Sequence, residues 1–173
     1  MLYAAYGSNL HPLRLSLRLP KSRFEGTGAI GGQRLRFHKR SKDRSGKCNI
    51  VAGDGSIHVA IYELDEQEKD KLDQIEGVGS GYSVETIEVP GFGECFTYIA
   101  TESYIDEQLR PYSWYKELVL VGCDALILPI DYIAWIQQVT AINDPDRARH
   151  DRNTRIVEQA RKTVNAISIK KGT

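Results

Sequence analysis

Residues 1–10 read Met1-Leu2-Tyr3-Ala4-Ala5-Tyr6-Gly7-Ser8-Asn9-Leu10, an apolar and aromatic run that Gly7-Ser8-Asn9 interrupts. Leucines then recur at helical spacing, at Leu10, Leu13 and Leu17, so the stretch predicts a strand, a tight turn and a short helix limited by Pro20. Outward from there, residues 24–40 alternate weakly around glycines at 26, 28, 31 and 32. That pattern predicts two short strands separated by turns or bulges. A polar basic loop covers 39–47, and Gly53-Asp54-Gly55 between two β-rich runs reads as a hairpin turn.

Asp65 has the character of an N-cap, with Glu66 and Glu68 in the first turn, where the helix dipole favours acids. The helix it opens runs through Leu72 and Ile75 to a stop at Gly77. Strands at 82–89 and 94–101 flank Pro90-Gly91-Phe92-Gly93, a second hairpin. Helical periodicity then takes over at 113–125, 129–142 and 151–164, the last strongly charged with Ile156, Val157, Ala160 and Val164 on one stripe. Strands mostly first and helices mostly last, without βαβ alternation, predict an α+β fold with a mixed, mainly antiparallel sheet. One domain is expected over 1–173, with its core at about 2–140, a charged C-terminal helix at 151–168 and a frayed lysine-rich end at 170–173.

With 41% hydrophobic and 27% charged residues the chain falls among soluble globular proteins. Twenty-three basic against twenty-three acidic side chains leave no net field to attract nucleic acid or an anionic membrane. The opening residues lack a basic segment followed by an apolar one, and no run approaches the ~20 apolar residues of a membrane span. A cytoplasmic location is expected. Three widely spaced cysteines, Cys48, Cys95 and Cys123, read as buried free thiols, and the four histidines lack metal-ligand spacing. No metal, cofactor, nucleic acid or membrane partner is expected; the chain is read as a monomer or homodimer.

Two features bear on chemistry. At Tyr6–Leu10, Gly7 permits close backbone approach, and Ser8 and Asn9 offer donors at a helix start, which suits an anion as well as an ordinary helix cap. Glu76 falls in the last turn of its helix, where the dipole disfavours a carboxylate at a cost of about 0.3–1 kcal/mol. Partial burial against Ile75 and Val78 would favour the neutral acid and suit it to proton transfer; a solvated glutamate fits the same position. Glycines at 77, 79 and 81 lead into Tyr82. The basic concentration from Arg34 to Lys47 reads as a solvated face. Trp114 reads as core, whereas Tyr115 can serve either core or ligand.

Taken together, Tyr6-Gly7-Ser8-Asn9-Leu10 and Leu72-Asp73-x-x-Glu76-Gly77-Val78 followed by Gly81-Tyr82 resemble the γ-glutamylcyclotransferase-like family. Gly46-Lys47-Cys48-Asn49-Ile50, Tyr115-Lys116, Gly122 and Leu128-Pro129-Ile130-Asp131-Tyr132 extend the resemblance over about residues 2–140. It implies a barrel-like sheet with flanking helices and a cofactor-free enzyme of acyltransferase or lyase type. Such an enzyme converts a γ-glutamyl amide to 5-oxoproline and a free amine or amino acid, as in glutathione metabolism. By the same resemblance Glu76 is the catalytic acid/base, and Tyr6, Gly7, Ser8, Asn9 and Leu10, with Tyr82 and Tyr115, bind substrate. A non-catalytic module that senses a γ-glutamyl or other anionic metabolite is the alternative.

Overall fold

The computed structural model describes the backbone of residues 1–171 and the side chains of residues 1–163. The C-terminal stripe position Val164 and the lysine-rich end expected to fray are outside the described side chains. Strand β1 (Leu2–Ala5) leads through a 3₁₀ turn (Ser8–Leu10) into helix α1 (Pro12–Ser16). Two long strands follow, β2 (Arg23–Arg40) and β3 (Gly46–Glu63), then α2 (Glu66–Glu76), β4 (Tyr82–Val89) and β5 (Gly93–Ala100). Helices α3 (Ser113–Ala125), α4 (Ile130–Gln138) and α5 (Arg147–Lys171) complete the order.

The five strands form one mixed sheet in the order β2-β3-β1-β5-β4. Every pairing is antiparallel except that of β1 with β5. The short strand β1 therefore lies at the centre, and Tyr3, Ala4 and Ala5 are all buried. This is why its sequence shows a continuous apolar run rather than alternation. The chain leaves the sheet at Tyr6, so Gly7-Ser8-Asn9 emerges at the end of the central strand.

The sheet is open, not a closed barrel. Its edges nonetheless approach each other, because Gly26 and Gly28 on β2 leave room for Phe92 and Val89 from the β4–β5 hairpin. A Cβ at Gly28 would come within 2.4 Å of Val89 Cγ1, and Val89 is fully buried. Gly28→Ala is therefore expected to destabilise the fold by about 1–3 kcal/mol through overpacking. Urea denaturation measures this, and a change below ~0.5 kcal/mol would mean that the edges yield freely.

Two expectations are corrected. Residues 24–40 form one strand, not two, with its glycines and polar residues taken up in bulges between Phe24 and Gly26, Gly31 and Gln33, and Arg36 and Lys39. Gly53-Asp54-Gly55 is not a turn but an irregular part of β3: Gly31 pairs with Ser56 and Gln33 with Ala52, so three residues face Gly32 alone. A Gly-Asp-Gly run satisfies a turn and a bulge equally well, and only the length of the partner strand chooses between them. The actual β2–β3 turn lies within the basic loop, where the Ser41 N–H donates to the Ser45 carbonyl at 3.1 Å.

Helix α2 follows its sequence signals closely. The Asp65 carboxylate accepts the Glu68 N–H at 2.8 Å, and Gly77 ends the helix in the left-handed region at φ 74°, its N–H bonded to the Asp73 carbonyl at 2.9 Å. Helix α4 stops at Gln138, shorter than the periodicity to residue 142 predicts, and α5 starts at Arg147. Val157 and Ala160 of α5 are buried, and Arg161 pairs with Glu117 of α3, so the charged helix packs on its own chain. Trp114 is core, its indole N–H donating to Asp144 at 2.8 Å. Among the described residues no helix is long and apolar enough to cross a membrane.

Candidate active site

A small cavity opens where the β1 turn, the start of β3, the end of α2 and the start of α3 converge. Tyr3, Tyr6, Gly7, Ser8, Asn9, Cys48, Glu76, Tyr82, Tyr98 and Tyr115 line it. At about 30 Å³ its deepest part holds little more than a water. It adjoins an outer cavity of about 190 Å³, and the two share Ser8, Glu76, Tyr82 and Tyr115.

Seven of the eight residues that the sequence singles out thus meet in one place, although Asn9 and Glu76 are 67 positions apart. Leu10 is the exception. It is fully buried in the hydrophobic core, packs against Gly122 of α3, and spends its N–H on the Gly7 carbonyl at 3.0 Å. Its place in the motif is structural, because a large apolar side chain there anchors the turn. The N–H groups of Ser8 and Asn9 have no partner among the described residues.

Glu76 is held by two donors. Asn9 Nδ2 donates to Glu76 Oε1 at 3.0 Å, and Arg18 Nη1 reaches the same oxygen at 3.3 Å. Arg18 Nη1 also donates to Asn9 Oδ1 at 3.0 Å, closing a three-membered network, while Asn9 Nδ2 reaches the Tyr3 hydroxyl at 3.2 Å. Oε2 carries no hydrogen bond among the described residues. The apolar flank expected from Ile75 and Val78 does not form: they are 40% and 39% exposed, and the carboxylate is enclosed by polar groups instead. The unfavourable helix-end position is offset by Arg18, a residue of the turn after α1 that nothing in the local sequence links to Glu76.

The walls are phenols. Tyr82 donates to the Cys48 carbonyl at 2.6 Å, Tyr115 accepts the Cys48 N–H at 3.1 Å, and Tyr98 donates to Asp73 at 2.7 Å. Tyr6 donates to the Tyr98 carbonyl. Burial pushes all of these hydroxyls, and that of Tyr3, to higher pKa, so they act as neutral hydrogen-bonding groups. The Cys48 thiol is likewise pushed up to about 12, chiefly by burial. It lines the cavity as a small apolar group rather than a nucleophile. Beside the network, burial and then Arg18 push the Arg14 guanidinium down to about 10.

Sequence reasoning missed Tyr3, Arg18, Cys48 and Tyr98 as site residues. Tyr98 is buried on β5 beside Thr97, where both faces of the strand are covered, and a core position and a cavity wall look the same in sequence. The basic stretch is also corrected. Lys39 and Lys47 are not on a solvated face but line the outer cavity with Arg18 and Ser41, and Lys47 pairs with Asp43 at 2.8 Å. Among the described residues no group of three or more His, Cys, Asp or Glu is placed to hold a metal.

Residues 56–136 match the AIG2-like family, a span that includes Glu76, Tyr82 and Tyr115 but not the Tyr6–Leu10 turn. A human γ-glutamylcyclotransferase is 29% identical over 140 residues, covering 76% of this chain and 74% of that protein. Among solved structures, a γ-glutamyl cyclotransferase superposes with a TM-score of 0.80 at 24% identity, covering 92% of this chain and 98% of its own. An uncharacterized human protein gives 0.79 at 24%, covering 91% and 97%. YkqA from Bacillus subtilis gives 0.69 at 17%, over 82% of this chain and 56% of that one. At these identities the structural likeness is one of fold.

Proposed function

We propose that the chain is a γ-glutamylcyclotransferase-like enzyme that cyclises a γ-glutamyl amide to 5-oxoproline, releasing an amine or amino acid. One observation supports this above all: Glu76 presents a carboxylate with one oxygen anchored by Asn9 and Arg18 and the other spare, at a phenol-lined cavity beside the Gly7 turn.

The reaction needs little beyond positioning and a proton path. The substrate's own α-amine is the nucleophile, and bending the chain into a five-membered ring replaces an encounter between two molecules. Once the ammonium has released a proton to solvent, from which the freed amine later recovers one, the amine nitrogen attacks the γ-carbonyl carbon. In the tetrahedral species the ring C–N bond has formed, and the nitrogen sheds a proton to Glu76 Oε2. Glu76 returns that proton to the departing nitrogen as the original C–N bond breaks. Atoms balance without water or a redox partner. The anchored Oε1 keeps the carboxylate from rotating, so one group can face both nitrogens in turn. The N–H groups of Ser8 and Asn9 offer donors for the substrate carboxylate or the developing oxyanion. The neutral phenols of Tyr3, Tyr82 and Tyr115 offer walls for the γ-glutamyl head where the inner and outer cavities join.

The test is direct. Incubation with a panel of γ-glutamyl dipeptides and γ-glutamyl amines is expected to yield 5-oxoproline and the free amine in equal amounts, resolved by chromatography. Tight calorimetric binding with no 5-oxoproline from any compound would make the chain a binding module instead.

A further inference from the structure

The outer cavity holds a charge that the reaction as written does not use. Three cations line it, Arg18, Lys39 and Lys47, against a single carboxylate, Glu76. Arg18 is committed to Glu76 at 3.3 Å and Lys47 to Asp43 at 2.8 Å. Lys39 is different. Its residue is only 7% exposed, yet no carboxylate among the described residues lies within ion-pair distance of its ammonium.

What the ammonium has instead is an aromatic face. Lys39 Nζ sits 4.3 Å from the centroid of Tyr82 and 5.9 Å from that of Tyr104. These contacts offset part of the desolvation, and burial still pushes the ammonium to lower pKa while the nearby Glu76 charge pulls it back up. The position is built: Gly81 crosses the side chain so closely that a Cβ there would lie 2.8 Å from Nζ, so the stem cannot swing that way. The stem is thus buried while the ammonium, with no carboxylate partner among the described residues, borders the outer cavity, where an anion can meet it.

The two cavities divide this chemistry. No lysine or arginine lines the inner one, whereas Lys39 faces the outer one, and Glu76, Tyr82 and Tyr115 border both. A substrate whose scissile amide lies at Glu76, where the two cavities join, with its γ-glutamyl head turned toward the phenols, therefore extends its departing amine toward Lys39. We propose that Lys39 determines leaving-group specificity, selecting γ-glutamyl compounds whose departing amine carries an anionic group. This rests on the cyclotransferase reading above. The anion is a carboxylate or a phosphate, either of which an ammonium ion meets with a charge-assisted hydrogen bond.

Matched substrates test it. γ-Glutamylalanine and γ-glutamylethylamide differ only by the carboxylate on the departing amine, and γ-glutamyl-O-phosphoethanolamine places a phosphate nearby. Wild type is expected to favour at least one anionic compound over the ethylamide by about 10–100-fold in kcat/KM for 5-oxoproline release. Whichever anion is favoured identifies the source. In Lys39→Met, which keeps the apolar stem on Tyr82, that ratio is expected to fall toward one, and Lys39→Arg to restore most of it. The wild-type ratio stands as a test even if a variant fails to fold.

Equal turnover of all three compounds by wild type overturns the Lys39 proposal and leaves the cyclotransferase reading intact. A ratio unchanged in folded Lys39→Met also overturns it, because a lysine that holds the γ-glutamyl head would slow every substrate alike. Absence of 5-oxoproline from all three overturns both readings.

Discussion

Glu76→Gln is expected to reduce 5-oxoproline release by about 10²–10⁴-fold, the usual worth of a positioned acid/base, while leaving substrate affinity nearly unchanged. The glutamine amide keeps the size of the carboxylate, and its oxygen can still accept from Asn9 Nδ2 and Arg18 Nη1, which now meet at Oε1 at 3.0 and 3.3 Å. What it loses is the ability to take a proton from one nitrogen and deliver it to the other. The ion pair with Arg18 joins side chains only 23% and 21% exposed. Its loss is expected to cost no more than ~1–2 kcal/mol, so the variant remains folded. Single-turnover assays alongside calorimetric titration separate the two effects. Release within threefold of wild type by a folded, binding-competent variant would remove Glu76 from the proton path.

Gly7→Val acts on the other half of the site, and its expected effect is on binding. An added Cβ at Gly7 would lie 3.2 Å from Cys48 Cβ and 3.3 Å from the Tyr115 hydroxyl, already tighter than ordinary contact, before either valine methyl is placed. Those methyls have nowhere to go except into the cavity or against β3. Cys48 Cβ is fixed by a strand whose N–H and carbonyl are bonded to Tyr115 and Tyr82, so the turn must move instead. Affinity for a turned-over substrate is expected to fall more than ~100-fold, with about 1–3 kcal/mol of lost stability from overpacking. Gly7→Ala is expected to be intermediate. Urea denaturation confirms the fold of each variant, and calorimetry reads the affinity; a folded Gly7→Val that binds as wild type does would mean that the turn is not the cradle.

These two substitutions mark how far local sequence reaches. The turn at Gly7 and the helix end at Glu76 are both legible, because caps, breakers and the dipole act over a few residues. Asp65, Glu68 and Gly77 place α2 almost to the residue. The long β2–β3 hairpin was harder to read, since Gly31-Gly32 and Gly53-Asp54-Gly55 suit turns when taken singly and become one bulged ladder only when paired. Periodicity also could not tell a cavity from a core. Tyr3, Tyr98 and Cys48 are as buried as Tyr62, and what separates them is the space beside them.

The basic stretch shows the same limit in its charges. Composition read Arg34 to Lys47 as solvated, and for Arg34 and Arg36 exposure agrees. Lys39 and Lys47 pair across the β2–β3 ladder and line the outer cavity, beyond a bulge between Arg36 and Lys39 that interrupts the alternation of β2.

The sequence by itself determined the strand-turn-helix opening, the capped helix that ends on Glu76, and the α+β order, all set by interactions within a turn or two of chain. Only the tertiary structure decided that Asn9 and Arg18 anchor Glu76, that six tyrosine and cysteine side chains wall the site, and that Lys39 stands buried at its outer edge. The contacts that anchor Glu76 span 58 and 67 positions and those within the wall 25 to 92, through strand order and a parallel β1–β5 pair, and no short-range rule carries that information.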